Sequence, residues 1–198
     1  MLEVGRRMRK TISCKESGDK EQENNEVTKA VIKQERVCIQ SLEGISDLSS
    51  RGYGTLDNGK LSLSPYEALY LLSKSIIEIR DEETGGNVDF HELLQRYRSD
   101  SENAWVRYMI YRDLRSRGYV AREGFGLGID FRVYKRGEYG KSAAEYLVFG
   151  IQEGQPVVVE DLARTLTYAQ SSKKNLIFSV LNRRGEVVYY SLSRLTFK

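Results

Sequence analysis

Residues 108–134 read YMIYRDLRSRGYVAREGFGLGIDFRVY and carry the clearest structural signal in the chain. The first ten residues place apolar and aromatic side chains at helical spacing, and Gly118 is a typical stop signal after a helix. Beyond Gly118 the hydrophobic period changes to two, because Ile129, Phe131 and Val133 alternate with polar residues. The stretch therefore predicts a helix followed by consecutive strands.

The pattern continues towards the C-terminus. The helix should run from about Ser101 to Arg117, with Trp105, Tyr108 and Leu114 facing inward. Three further strands are predicted in EYLVFGI (145–151), NLIFSVL (175–181) and EVVYYSLSRL (186–195), and a helix in VEDLARTLTYAQSS (159–172). A tight turn at Asn182–Gly185 joins the last two strands. Residues 106–198 are thus predicted to form an α/β domain with a central mixed β-sheet.

The region before this helix predicts a smaller α+β unit, residues 27–105. AVIKQERVCIQSL (30–42) alternates like a pair of strands, and turn signals follow at 51–54 and 56–60. Ser64, Pro65 and Glu67 form a capping box before a helix. The buried face of that helix is predicted from residues at helical spacing, namely Leu69, Leu72, Ile76 and Ile79. NVDFHELLQRY (87–97) repeats the capping pattern, with Asp89 as the cap.

The composition excludes several classes of protein. Residues 1–26 are charged and lack apolar periodicity, which predicts a flexible tail. No stretch approaches the ~18 apolar residues of a membrane span, and the N-terminus lacks the apolar block of a signal peptide. Cys14, Cys38 and His91 are the only cysteines and histidine. We therefore expect a cytoplasmic protein without a disulfide framework, metal or cofactor.

Charge is unevenly distributed along the chain. Residues 1–100 contain 15 Lys and Arg against 18 Asp and Glu, whereas residues 101–198 contain 16 against 10. A basic second half is compatible with binding to phosphates, and equally with an ordinary solvated surface. Charge alone does not decide between the two.

Common catalytic motifs are absent from the sequence. There is no P-loop, dinucleotide fingerprint or nucleophile elbow. GFGLGID (124–130) is rich in glycine, as phosphate-binding loops are. However, it leads into a predicted strand and offers no helix N-terminus to an anion, so we disfavour that interpretation.

A longer pattern nevertheless resembles a known family. YMIYRDLRSRGYV, GFGLGIDFRVY, EYLVFGI, DLARTLTYAQSSKKNLIFSVL and GEVVYY are similar to the catalytic domain of the archaeal tRNA-splicing endonucleases, the tRNA-intron endonuclease family. LSLSPYEALYLL (61–72) looks like the family's N-terminal domain. The resemblance spans roughly Val31 to Phe197.

The resemblance implies a metal-free ribonuclease site. In the family a tyrosine, a histidine and a lysine promote attack of a 2′-hydroxyl on the neighbouring phosphorus, which gives a 2′,3′-cyclic phosphate and a 5′-hydroxyl. Tyr134 matches the tyrosine and Lys174 the lysine, retained either as working groups or as an ordinary strand-end and helix-end residue. The histidine position of the family's HxEylV block is occupied by Ala143, and Thr167 stands where active members carry a base-stacking arginine.

The resemblance also suggests binding surfaces. We expect Arg132, Lys135 and Lys173 to contact RNA. The family uses an acidic loop to enter an opposing subunit, and Glu153, Glu160 and Asp161 are the candidates here, although Glu160 or Asp161 could simply cap the helix. Val188 and Tyr190 lie in a terminal strand that could pair with another chain, or could instead be an internal strand with a covered edge.

We therefore expect a structural subunit that positions catalytic subunits on the bulge-helix-bulge of precursor tRNA, in a two-plus-two heterotetramer. One alternative is a competent endonuclease that uses Tyr134 and Lys174 without the histidine. A second alternative is a stand-alone RNA-binding module, which the scattered arginines permit. Cleavage by the lone chain, or tight RNA binding without a partner, would distinguish these alternatives.

Overall fold

The computed structural model describes residues 27–34, 36–126 and 128–194, so the predicted tail of residues 1–26 lies outside it. Within these ranges the chain forms five helices and two mixed β-sheets. The predicted α/β fold class is confirmed. None of the described helices is both long and apolar enough to cross a membrane.

The first half of the chain forms a six-stranded sheet with the order β3-β4-β2-β1-β5-β6. Its elements are β1 (Thr28–Lys33), β2 (Arg36–Ile39), α1 (Leu42–Ser50), β3 (Thr55–Asp57), β4 (Lys60–Leu63), α2 (Pro65–Ser73), β5 (Ile77–Asp81), β6 (Asn87–Val88) and α3 (Phe90–Asp100). The predicted strand pair is confirmed as the antiparallel β1 and β2. Helix α1 was not predicted.

Helix α2 begins as predicted but ends earlier. The Ser64 amide donates to the Glu67 carboxylate at 3.0 Å, which is half of the predicted capping box. The prediction that Ile76 and Ile79 continue the helix is wrong. Ser75 adopts a positive φ of 55°, and the chain then extends into β5, where Ile79 is paired with Ala30 of β1. Alternating burial, not helical spacing, governs Ile79, whereas Ile76 lies between the end of α2 and the start of β5.

The second half forms a five-stranded sheet with the order β11-β10-β9-β8-β7. Its elements are α4 (Ala104–Ser116), β7 (Val120–Gly126), β8 (Ile129–Tyr134), β9 (Tyr146–Gln152), α5 (Val159–Ser171), β10 (Asn175–Leu181) and β11 (Val187–Leu192). Strands β9 and β10 run parallel and are connected through α5, while the other neighbours are antiparallel. On one face of this sheet, α4 packs within the larger of two hydrophobic clusters. On the other face, Leu166 and Ala169 of α5 belong to the smaller cluster.

Helix α4 confirms most of the predicted helix. Tyr108 and Leu114 are buried as expected, but the inward orientation of Trp105 is wrong, since it is 37% exposed. Its ring packs at the surface against Tyr108, with the centroids 5.6 Å apart. The inward positions beside it are filled by the smaller Ala104 and Val106.

A single hydrophobic cluster connects the two sheets and includes side chains of α2, α4 and β8. Arg122 of β7 reinforces this contact by forming an ion pair with buried Glu67 of α2 at 2.9 Å. Its guanidinium also donates to the carbonyls of Gly52 and Gly54. The division at residue 105 falls inside α4 and remains a prediction.

Candidate functional site

The positions identified from the sequence meet at one end of the three central strands of the second sheet, β8, β9 and β10. We call this end of the strands the Tyr134 edge. Tyr134 ends β8, Ala143 shortly precedes β9, and Lys174 immediately precedes β10. Strand β9 lies between the other two, and its first residue, Tyr146, is opposite both Val133 and Asn175. The topology therefore places a phenol and an ammonium group beside the position of Ala143.

Lys174 is held across this edge by two hydrogen bonds. Its amide donates to the Ala169 carbonyl at 2.9 Å, which closes the end of α5, and Lys173 before it takes a positive φ of 53°. The Lys174 amine donates to the carbonyl of Ala144 at 2.5 Å. A positive charge is thus fixed next to the backbone that carries Ala143.

Tyr134 is half-buried at the end of β8. The Tyr139 ring packs edge-on against it, with the centroids 5.2 Å apart. The intervening loop is held by the hydroxyl of Ser142, which donates to the Glu138 carboxylate at 2.8 Å. The Tyr134 ring therefore packs against the loop that follows β8.

Ala143 itself is exposed and presents a methyl group without a transferable proton. His91, the single histidine of the chain, lies in the first turn of α3 beside Phe90, in the half of the chain that forms the first sheet. Thr167 is exposed on α5 and donates to the Ala163 carbonyl at 2.9 Å, so it offers no planar group. The edge has a phenol and a cation but no imidazole.

An ion pair flanks the site and was not anticipated from the sequence. Lys135 contacts Glu145 at 2.6 Å. This hydrogen bond lowers the pKa of the Glu145 carboxyl and raises the pKa of Lys135. Burial, followed by the hydrogen bond to Glu145, raises the pKa of the neighbouring Tyr146. The charge of Lys135, a predicted RNA contact, is therefore compensated within the chain.

The other two predicted RNA contacts differ from Lys135. Lys173 is exposed and forms no ion pair with a described residue. The Nε–H of Arg132 donates to the Glu123 carbonyl at 2.8 Å, and its guanidinium lies over the ring of Phe125. Phe125 belongs to GFGLGID, which the sequence suggested only as a disfavoured phosphate loop. An aromatic residue between glycines in a hairpin is the signal that could have revealed it.

The proposed interface strand β11 is the outermost strand of its sheet. Val188 and Tyr190 are opposite Val180 and Phe178 of β10, and all four side chains are half-buried. No described strand pairs with the outer edge of β11. An apolar strip beside free backbone groups is thus available at this edge.

The three candidate acidic residues are in different environments. The Glu153 carboxylate accepts the amide of Arg183 at 3.0 Å and so holds the β10–β11 turn. Asp161 forms an ion pair with Arg164 at 2.5 Å. Glu160 is exposed in the first turn of α5 and has no ion pair with a described residue. It therefore lacks the contacts that hold Glu153 and Asp161.

Comparison with known proteins places these features in context. Two family models match the chain, "tRNA intron endonuclease, N-terminal domain" over residues 28–94 and "tRNA intron endonuclease, catalytic C-terminal domain" over residues 104–189. Proteins called tRNA-splicing endonuclease from Methanococcus vannielii and Methanococcus maripaludis are each 36% identical over 166 residues, which is 84% of this chain and 93% of theirs. The one from Pyrococcus furiosus is 31% identical over 164 residues, 82% of this chain and 94% of its own. Among the described residues, no cluster of His, Cys, Asp or Glu could hold a metal ion.

Proposed function

This chain belongs to the tRNA intron endonuclease family, and from that premise we propose that it is a structural subunit of a cytoplasmic tRNA-splicing endonuclease. The observation that carries the proposal is the exposed methyl group of Ala143 at the position of the family's histidine. The family supports a role in tRNA intron cleavage, and precursor tRNA is the expected RNA.

The chemistry explains why one missing side chain matters. Cleavage needs a base for the 2′-hydroxyl, an acid for the departing 5′-oxygen and a cation for the phosphorane. Tyr134 and Lys174 can supply a phenol and a charge, and Lys174 lies beside the Ala144 carbonyl. Without the acid, the rate should fall by ~10²–10⁴. The chain is therefore expected to position catalysis and not to perform it efficiently.

We expect the purified chain alone to cleave a bulge-helix-bulge RNA at least ~10²-fold more slowly than the chain mixed with a family member that has histidine at the position of Ala143. Cleavage would be followed on end-labelled RNA, with detection of the 2′,3′-cyclic phosphate. The histidine-containing protein alone is the control. Efficient cleavage by the lone chain would refute the structural role.

The partner surface that best fits this role is strand β11. Its edge lacks a partner among the described strands, and its apolar residues Val188 and Tyr190 continue the half-buried row of Val180 and Phe178. Strand addition supplies backbone hydrogen bonds along such an edge, while the apolar row gives specificity. Glu160 is the acidic residue best placed for a basic cleft of a partner. These surfaces support assembly into a two-plus-two heterotetramer with a catalytic subunit.

Val188→Lys should weaken subunit association at least ~10-fold, or ~1.4 kcal/mol, because it places a charge in the apolar strip. Sedimentation velocity over a concentration series would measure the effect. Ser191→Lys is the matched control, since Ser191 lies on the same strand but is already exposed. Equal association of the two variants would show that the interface lies elsewhere.

One observation favours a second candidate function. Tyr134 and Lys174 are brought to the same edge, as a competent endonuclease without the histidine would require. In that case cleavage by the lone chain should depend on both residues. The third candidate, a stand-alone RNA-binding module, instead predicts salt-sensitive RNA binding without cleavage or partner.

A further inference from the structure

The β7–β8 hairpin displays an aromatic ring at the surface. Phe125 is 56% exposed, although it is a large apolar side chain. The glycines around it shape the hairpin: a Cβ on Gly124 would lie 1.9 Å from the Ile129 carbonyl oxygen, and Gly126 has a φ of +83°. A residue other than glycine at position 124 or 126 would distort this turn. The backbone of the hairpin therefore directs Phe125 outward.

Arg132 lies against this ring with a fixed orientation. Its Cζ is 4.2 Å from the ring centroid of Phe125, within cation–π range. The bond from its Nε–H to the Glu123 carbonyl holds the guanidinium in place. Arg132 forms no ion pair with a described residue. Glu123 is opposite Phe131, so the Glu123 side chain lies on the face of the sheet opposite to that of Arg132. The positive charge beside Phe125 is therefore uncompensated.

This pair faces the same way as the candidate site. Arg132 and Tyr134 are two residues apart on β8, so their side chains share one face at a separation of about 7 Å. Lys173 and Lys174 lie at the same edge, and Lys173 carries a free charge. An aromatic ring and a guanidinium thus lie on the face of β8 that leads to Tyr134, and Lys173, before β10, adds a charge without an ion pair to a described residue.

We propose that Phe125 and Arg132 form a stacking platform for an unpaired nucleobase of RNA that crosses the Tyr134 edge. The proposal rests on the proposed function in that precursor tRNA reaches this face. A base provides a π-face for the open side of the Phe125 ring, and its phosphates complement the free charges of Arg132 and Lys173. An apolar protein surface would leave those charges desolvated and unpaired. RNA is therefore the occupant that this surface fits.

The test measures binding of the full-length chain to two RNAs, a bulge-helix-bulge RNA with 2-aminopurine in the bulge and a fully paired duplex of the same length. Phe125→Ala should weaken binding to the bulged RNA by about 5- to 150-fold and abolish stacking-dependent quenching of 2-aminopurine. Binding to the duplex should change less than twofold. Phe125→Trp should retain the affinity of the native chain for bulged RNA, which excludes a folding defect as the cause.

The outcomes separate this inference from the proposed function. If Phe125→Ala binds bulged RNA as the native chain does, or if it disrupts association with a catalytic subunit instead, the platform is refuted while the structural role stands. If the native chain fails to bind bulged RNA both alone and with a catalytic subunit, the platform and the proposed function are both refuted. Loss of affinity for bulged RNA alone, rescued by tryptophan, supports the platform.

Discussion

Replacing Ala143 by histidine will raise the rate at which this chain alone cleaves bulge-helix-bulge RNA by ~10²–10⁴. The reason is that the neighbouring groups are already in place: Tyr134 ends β8, and the Lys174 amine is bound at the Ala144 carbonyl. Ala143 is exposed, so an imidazole can be introduced without burial. Single-turnover cleavage with detection of the cyclic phosphate measures the gain.

Ala143→Gln is the matched control, because it adds a polar side chain of similar size that does not exchange a proton at neutral pH. It should leave the rate of the native chain unchanged. Adding Lys174→Ala to the histidine variant should remove most of the gain. A folded Ala143→His chain that stays inactive would show that Tyr134 and Lys174 no longer form a working site.

Arg122→Ala will lower the free energy of unfolding by about 3–5 kcal/mol, which is a large part of the stability of a typical domain. The substitution leaves Glu67, only 3% exposed, as a buried charge without its partner. It also removes the donor for the Gly52 and Gly54 carbonyls. Urea-induced unfolding followed by tryptophan fluorescence would measure the change.

Arg164→Ala is the corresponding control. It breaks the ion pair between Arg164 and Asp161, whose side chains are 64% and 55% exposed, and should cost less than ~1 kcal/mol. Both variants lose one arginine and one ion pair, so the comparison separates the buried contacts of Arg122, including those to the Gly52 and Gly54 carbonyls, from an exposed ion pair. Equal stability of the two variants would show that Arg122 does not hold the two sheets together.

Local signals predicted much of the fold. The Glu67 side of the capping box, the antiparallel β1–β2 pair and the change to a period of two after Gly118 are all confirmed. These features depend on contacts within a few residues, which a sequence pattern contains directly. The errors at Ile79 and Trp105 arose where spacing was compatible with two structures, and packing against β1 or Tyr108 decided between them.

The same distinction applies to the candidate site. The resemblance identified Tyr134, Lys174 and the substitution at Ala143, but no pattern indicated that Lys135 is paired with Glu145 or that Arg132 lies over Phe125. Those contacts join residues on different strands. They determine which positive charges have a carboxylate partner within the chain, and the sequence pattern does not contain that information.

By itself, the sequence determined the family, the order of helices and strands in the second half of the chain and the absence of a histidine at residue 143. These follow from residue identity and from short-range periodicity. Only the tertiary structure decided that β11 is an edge strand, that Arg122 joins the two sheets and that Phe125 is turned outward beside Arg132. Strand order and side-chain contact arise from pairing between distant segments, whose partners are chosen by the collective packing of the core.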